Sequence, residues 1–409
     1  MKKTSQLLNF SFLSIALALA SVAYSQKNAI DSLRIDSLVK AKYDQGLFNG
    51  SILVKSGDQI IYKNALGWAN FETKDTLKLS TPTRLASITK SLTAVCVLKL
   101  IEEGKIDLNE DIHTYLPEIE KTGITIHHLL SHTSGIVYVN GHRKHLARII
   151  EIAKLEGENR HSNKHVLMFF DKYHPKARSK PGAKSFYSNI GYSILASLIE
   201  RVSQTDYGTY LKQNIFDPLN MEHSSFFFPA INQKDNIQGA FSYKFGEEVD
   251  KRYAYYDYDE DGKIMYANAI YGDKHVYSTV EDMEKFNTAL LDGKLISNKY
   301  LDLAMTLVKL NSGKINNEHY GYGFMINGSK SQNRQIYHTG GIAYFSTMNM
   351  MHSNKKYQII LLQNARGALK ELIDGCYAIL EGKSLPVMKQ SKKMKKAAMI
   401  FNEKYKIEY

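Results

Sequence analysis

The first apolar run along the chain, residues 7–22, follows Lys2 and Lys3 and precedes Ala23-Tyr24-Ser25, a small-x-small site before Gln26. A basic head, a short apolar stretch and a small-residue site predict an export signal over residues 1–25. The run is short and broken by Asn9, Ser11 and Ser14, so no stable membrane span is expected once it is removed. No cysteine follows it, which argues against a lipid anchor. Ile30, Leu33, Leu38 and Val39 then recur at helical spacing and predict an amphipathic helix ending by Gly46. Residues 51–55 and 59–63 alternate as strands around Ser-Gly-Asp and predict a β-hairpin. Helical patterns dominate from Ser87 to about Phe286, for instance over 191–202 and 280–291. Strand patterns return at 335–338, 344–351 and 357–363, before a final helix at 368–380.

Strands at both ends with helices between them predict an α+β fold. One antiparallel sheet is built from both termini and flanked by helices, and a mostly helical domain is inserted. The expected division is one domain over 26–385, with an α/β lobe at about 28–86 and 290–385, a helical lobe at about 87–289, and a basic tail at 386–409. The cleft between the lobes is the natural ligand site.

Composition changes this picture little. Export would permit disulfides, yet only Cys96 and Cys376 exist, and Cys96 lies in an apolar helix, so both read as small buried hydrophobes. The net charge of +12 includes Lys2 and Lys3, and the remainder is spread along the chain apart from Lys389, Lys392, Lys393, Lys395 and Lys396. A spread charge is no nucleic-acid surface, so no such partner is expected. The expected location is the periplasm or the exterior.

The chemistry starts at Ser87 and Lys90. They stand three residues apart at the head of an apolar helix that Gly104 stops, so the two side chains share a face. An amine desolvated enough to be partly neutral makes the hydroxyl a nucleophile without histidine. The Ser-x-x-Lys spacing also occurs at Ser37 with Lys40 and at Ser353 with Lys356, but neither has an apolar core helix behind it. A serine nucleophile of this kind needs a proton relay, a polar hand for the substrate and an oxyanion hole. Tyr187-Ser188-Asn189, after the Pro181-Gly182 turn, offers the first two, although Tyr62, Tyr138 and Tyr266 also precede an asparagine by two. His338-Thr339-Gly340-Gly341 suits a sheet edge lining a cleft, with the Gly341 and Ser87 N–H groups as the oxyanion pair. Lys121-Thr122-Gly123 spells a Lys-Thr-Gly triad but lies between the serine and the tyrosine, in a Gly/Thr loop.

These phrases, in this order, resemble the class C β-lactamase and D-alanyl-D-alanine carboxypeptidase group of serine β-lactamase-like enzymes. Leu129-Leu130-Ser131-His132-Thr133-Ser134-Gly135, residues 215–221 and residues 277–282 add to the resemblance, which covers about 30–380. It implies Ser87 as the acylated nucleophile, Lys90 as its base and Tyr187 as the proton shuttle. Asn189, His338, Thr339 and Gly340 would bind substrate. The substrate would be a cell-wall peptide, a D-amino acid amide, an ester or a β-lactam, with no cofactor. His338 stands where relatives often carry lysine, and neutral imidazole anchors a carboxylate poorly. That favours the peptidase and esterase branches over dedicated β-lactamases. The rival expectation is a catalytically idle sensor of the same fold. Residues 272–276, Gly-Asp-Lys-His-Val, replace a Gly-Gly-Leu phrase and read as a surface loop.

Two further signals are set aside. Asp257, Asp259 and Asp261 imitate half a calcium loop, but its twelfth position is Asn268, so a hairpin with an Asp-Gly turn is expected. His128 and His132 are four apart without a zinc-protease motif around them, so no metal is expected.

Overall fold

The computed structural model describes residues 2–71, 73–136, 143–158, 160–226, 242–244, 250–252, 256–258, 264–328, 334–342, 344–365, 367–386 and 399. Six strands form the central sheet: β1 (Gly50–Ser56), β2 (Gln59–Leu66), β3 (Met325–Asn327), β4 (Gln335–Ile342), β5 (Phe345–His352) and β6 (Tyr357–Gln363). Their order is β3-β4-β5-β6-β1-β2, every pair antiparallel, so the two ends of the chain meet where Val54 stands opposite Ile359.

Period-two alternation sorts these side chains into two cores. Ile52, Val54, Ile359 and Leu361 face α1 (Lys2–Asp44) and the C-terminal helix Leu369–Leu380, packing with Ile35, Val39, Ile373 and Ile379. Leu53, Ile360 and Leu362 face the other way, into the larger core that holds the helical lobe. Each such side chain removed from water contributes about 1.5–3 kcal/mol. Cys96 belongs to the larger core and Cys376 to the other, both buried and both free.

In the helical lobe, α2 (Thr89–Glu102) is buried on every side from Leu92 to Leu98. It ends in a Schellman turn, with Gly104 at φ +71 and the Lys105 N–H donating to the Leu100 carbonyl. Behind it lie α3 (Ile126–Leu130), α4 (Arg143–Leu155), α5 (Asn163–Tyr173) and α6 (Asn189–Ser203). The helix Val280–Leu291 packs on β1 and β6.

Two boundaries differ from expectation. The helix expected from about Ile30 is part of a continuous α1 that begins at Lys2, and Gly46 at φ +66 closes it. No helix among the described residues is long and apolar enough to cross a membrane. The strand expected over 335–338 runs on to Ile342, because Gly340 pairs with Thr347 and Gly341 with Ser346 despite the low strand propensity of glycine. The expected hairpin near Asp257 is present, with Tyr256 opposite Ala267, while its Asp261-Gly262 turn lies outside the described residues. So do Tyr138 and the basic tail cluster.

Candidate active site

Ser87 sits in a one-turn 3-10 helix, Ala86–Ile88, that leads directly into α2. The residue before it, Ala86, is held at φ +50, a conformation that costs a residue with a Cβ of the order of 1 kcal/mol. Two contacts from the sheet keep the turn in place. The Thr347 hydroxyl donates to the Leu85 carbonyl at 2.9 Å, and Gly340 lies so close that an added Cβ would stand 2.2 Å from that same carbonyl oxygen. Gly340 is therefore glycine for lack of room. A Cβ on Gly341 would meet nothing within 4 Å, so this glycine borders open space. β3 pairs only with residues 335–337 of β4, which leaves the stretch from His338 onward as the strand edge beside the nucleophile turn.

Lys90, one helical turn after Ser87, is buried. Its Nζ donates to Ser87 Oγ at 3.2 Å and to the Asp273 carbonyl at 3.0 Å. Burial pushes its pKa down from 10.5 to about 8, against the opposing charge of Asp273. A usable fraction is thus neutral near physiological pH, which is what a base toward serine requires.

Tyr187 completes the triplet. Its ring centre lies 4.9 Å from Lys90 Nζ, and its hydroxyl is near enough to that of Ser87 to interact with it. Burial raises its pKa, so it remains a phenol able to give a proton. The next residue, Ser188, caps α6 by accepting from the Gly191 N–H at 3.1 Å, which fixes Asn189 as the first residue of the helix. Asn189 Oδ1 is buried with no hydrogen-bond partner among the described residues, a spare acceptor for a substrate N–H.

His338 plays a different part from the one its place in the strand suggests. It is buried, with Nδ1 2.7 Å from the Thr339 carbonyl and Nε2 2.9 Å from the Tyr320 hydroxyl. The carbonyl can only accept, so Nδ1 carries the proton and Nε2 accepts from Tyr320. Burial and the nearby Lys90 charge push its pKa down to about 3. The imidazole is therefore neutral and fully occupied, and it offers a substrate carboxylate nothing.

The 272–276 segment, expected as a surface loop, forms the other wall. Gly272 at φ +100 packs its backbone against the Tyr192 carbonyl and accepts from Thr93 Oγ1 at 2.6 Å. Asp273, His275 and Val276 are buried, and Arg84 Nε donates to the Lys274 carbonyl at 3.1 Å. Lys274 Nζ pairs with both oxygens of Asp273 at 2.9 and 3.0 Å. A backbone carbonyl from this wall is thus the second partner of Lys90, and no side-chain signature announces it in the sequence.

The wall carries a prediction. Asp273→Asn removes the negative charge that favours protonated Lys90 and leaves Lys274 unneutralised, and both effects lower the Lys90 pKa. The rising acid limb of kcat/KM is expected to move about one unit toward lower pH. A pH-rate profile checks it; a limb that stays or moves upward contradicts the assignment.

The competing matches are committed elsewhere. Ser37 donates to the Leu33 carbonyl while Lys40 pairs with Asp36, and Ser353 Oγ accepts from the Arg334 N–H. Lys121, Thr122 and Gly123 are exposed on a turn of the helical lobe. Tyr62 donates to Asp36. His128 caps α3 by accepting from the Thr125 N–H, and His132 lies beyond that helix, so the two share no helical face.

A family model described as Beta-lactamase matches residues 35–382. With the sheet, the inserted helices and this site in view, the chain belongs to the Beta-lactamase family of serine hydrolases. It is similar to a penicillin-binding protein of Bacillus subtilis strain 168, 27% identical over 81% of this chain and 71% of that protein. A putative penicillin-binding protein of the same strain is 28% identical over 79% of this chain and 72% of its own length. Among solved structures, the octameric penicillin-binding protein homologue from Pyrococcus abyssi superposes with a TM-score of 0.67 and 25% identity, covering 86% of this chain and 77% of that one. The fold is also that of a D-amino acid amidase from Ochrobactrum anthropi SV3, with a TM-score of 0.65, 18% identity and coverage of 86% and 99%.

Proposed function

We propose that the protein is an exported hydrolase that cleaves amide or ester carbonyls through an acyl-enzyme on Ser87. The observation that carries this reading is the Ser87 hydroxyl held between a buried Lys90, 3.2 Å away, and the Tyr187 phenol. Neutral Lys90 takes the serine proton as Oγ attacks the carbonyl, and the Ser87 and Gly341 N–H groups receive the oxyanion. Tyr187 gives a proton to the departing amine or alcohol and is reprotonated by the Lys90 ammonium, which carries the proton taken from Ser87. Water then cleaves the ester by the reverse relay.

The neutral, occupied His338 favours substrates without a carboxylate beside the leaving group. D-amino acid amides and short esters rank above peptides ending in a free D-alanine carboxylate and above β-lactams. Residues 1–25 support export to the periplasm or beyond, and the intact mass of the protein recovered from cells, beginning at Gln26, tests that step.

A turnover panel of a D-amino acid amide, a p-nitrophenyl ester, a D-alanyl-D-alanine peptide and a chromogenic cephalosporin tests the ranking. Highest kcat/KM on the amide or ester is expected. Fastest turnover of the free-carboxylate peptide overturns the ranking, and a stable adduct with no turnover of any member supports the idle sensor instead.

A further inference from the structure

His132 is buried beside the catalytic cluster, and the relay above does not use it. Its Nδ1 accepts the Ser188 backbone N–H at 3.1 Å, and its own carbonyl accepts the Phe186 N–H at 2.8 Å. The two bonds grip the backbone on either side of Tyr187. Its ring centre lies 4.3 Å from that of Tyr187, the closest of its aromatic contacts, with Tyr320 at 4.6 Å and Tyr192 at 5.1 Å. Neighbouring backbone bonds extend the clamp, since the Thr133 carbonyl accepts from the Gly182 N–H at 2.8 Å.

Two features of His132 work against stability. It is held at φ +59, where asparagine or glycine is the easier residue. With Nδ1 accepting, the neutral ring carries its proton on Nε2, and that atom is buried with no hydrogen-bond partner among the described residues. Burial, Lys90 and His338 all oppose a charge on the ring. A buried donor left unsatisfied beside the catalytic cluster is the mark of a residue held there for something other than folding.

We propose that His132 is the positioning residue of Tyr187: its Nδ1 acceptor and its ring fix the phenol within reach of Ser87 and of the leaving group. The inference rests on the reading of Tyr187 as the group that protonates the leaving group. A misplacement of the phenol then harms poor leaving groups most, because they depend on that proton.

The test compares His132→Leu with His132→Asn, whose Oδ1 occupies the place of Nδ1 and which tolerates the positive φ. In His132→Leu, kcat on an anilide or amide is expected to fall about 30- to 100-fold with KM within about threefold. The p-nitrophenyl ester, whose leaving group needs no proton, should lose only about threefold, and labelling of Ser87 by a fluorophosphonate should persist. In His132→Asn, amide turnover should recover to within about fivefold of the parent. Equal losses on amide and ester in a labelled His132→Leu, or no loss on either, overturn the inference. If His132→Leu does not fold, His132→Asn decides: recovery supports the inference, and an amide loss beyond about tenfold with Ser87 still labelled overturns it. Parent protein that takes no label at Ser87 fails the underlying reading, whereas labelled parent with amide turnover insensitive to His132 fails only this inference.

Discussion

Ser87→Ala is expected to lower turnover of the best ester or amide by about four to six orders of magnitude while leaving the fold intact. In the proposed mechanism every covalent step passes through this oxygen, which leaves no residual route of comparable rate. The substitution removes a half-buried hydroxyl whose hydrogen bond goes to Lys90, so little packing is lost. Its melting temperature is expected within about 3 °C of the parent, since the lost bonds contribute about 1 kcal/mol. Steady-state kinetics and a melting curve on the same preparation check both halves. A variant that unfolds, or one that keeps a tenth of the activity, contradicts the assignment.

Lys90→Met carries the second large effect, in two opposed directions. Activity is expected to fall by about two to four orders of magnitude, because the serine loses its base. The parent's kcat/KM should rise through a limb near pH 8, the value to which burial lowers Lys90, and the variant should lack that limb. Stability moves the other way. The Lys90 pKa is depressed in the folded protein from the usual 10.5 to about 8, so between these values the unfolded chain binds the extra proton. Below pH 8 the fold carries the whole cost of burying a cation, roughly 3 kcal/mol, and that cost disappears as pH rises toward 10.5. Methionine fills similar space without charge. Denaturant titrations at pH 7 and pH 10 should therefore find Lys90→Met more stable than the parent at pH 7, with the advantage shrinking at pH 10. A variant less stable at pH 7 means that Lys90 is not a costly buried cation.

Sequence pattern made visible whatever depends on runs of side chains. The all-round apolar stretch of α2 and the stop at Gly104 appear as expected, and so do the β1–β2 hairpin and the return of the chain's last strands to the same sheet. The apolar helix behind it sets Ser87 apart from Ser37 and Ser353, and the structure places Ser87 and Tyr187 within bonding or ring-contact distance of Lys90. What sequence hid is carried by backbone or by long-range packing. The Asp273 carbonyl bonds to Lys90 across 183 positions, and a carbonyl looks the same on every residue. The Thr339 carbonyl fixes the tautomer of His338 and Tyr320 occupies its other nitrogen, facts that no spacing encodes. The phrase Leu129–Gly135 that holds His132 is visible in the sequence, but its bond to the Ser188 N–H spans 56 positions and no motif announces it.

The departure of His338 from lysine is legible in sequence, but its meaning comes from burial. As an exposed imidazole it would be a weak carboxylate anchor that strengthens in acid. Buried, with both nitrogens bonded, it stays neutral across the working range and serves the interior of the site.

The central claim, an acyl-enzyme on a lysine-activated serine, is tested most directly by peptide mapping after reaction with a fluorophosphonate and, separately, with an activated ester. One adduct on the peptide that bears Ser87 is predicted, absent in Ser87→Ala and forming faster at pH 9 than at pH 6. Hydrolysis that proceeds while Ser87 stays unmodified, or an adduct on another residue that survives Ser87→Ala, would contradict it.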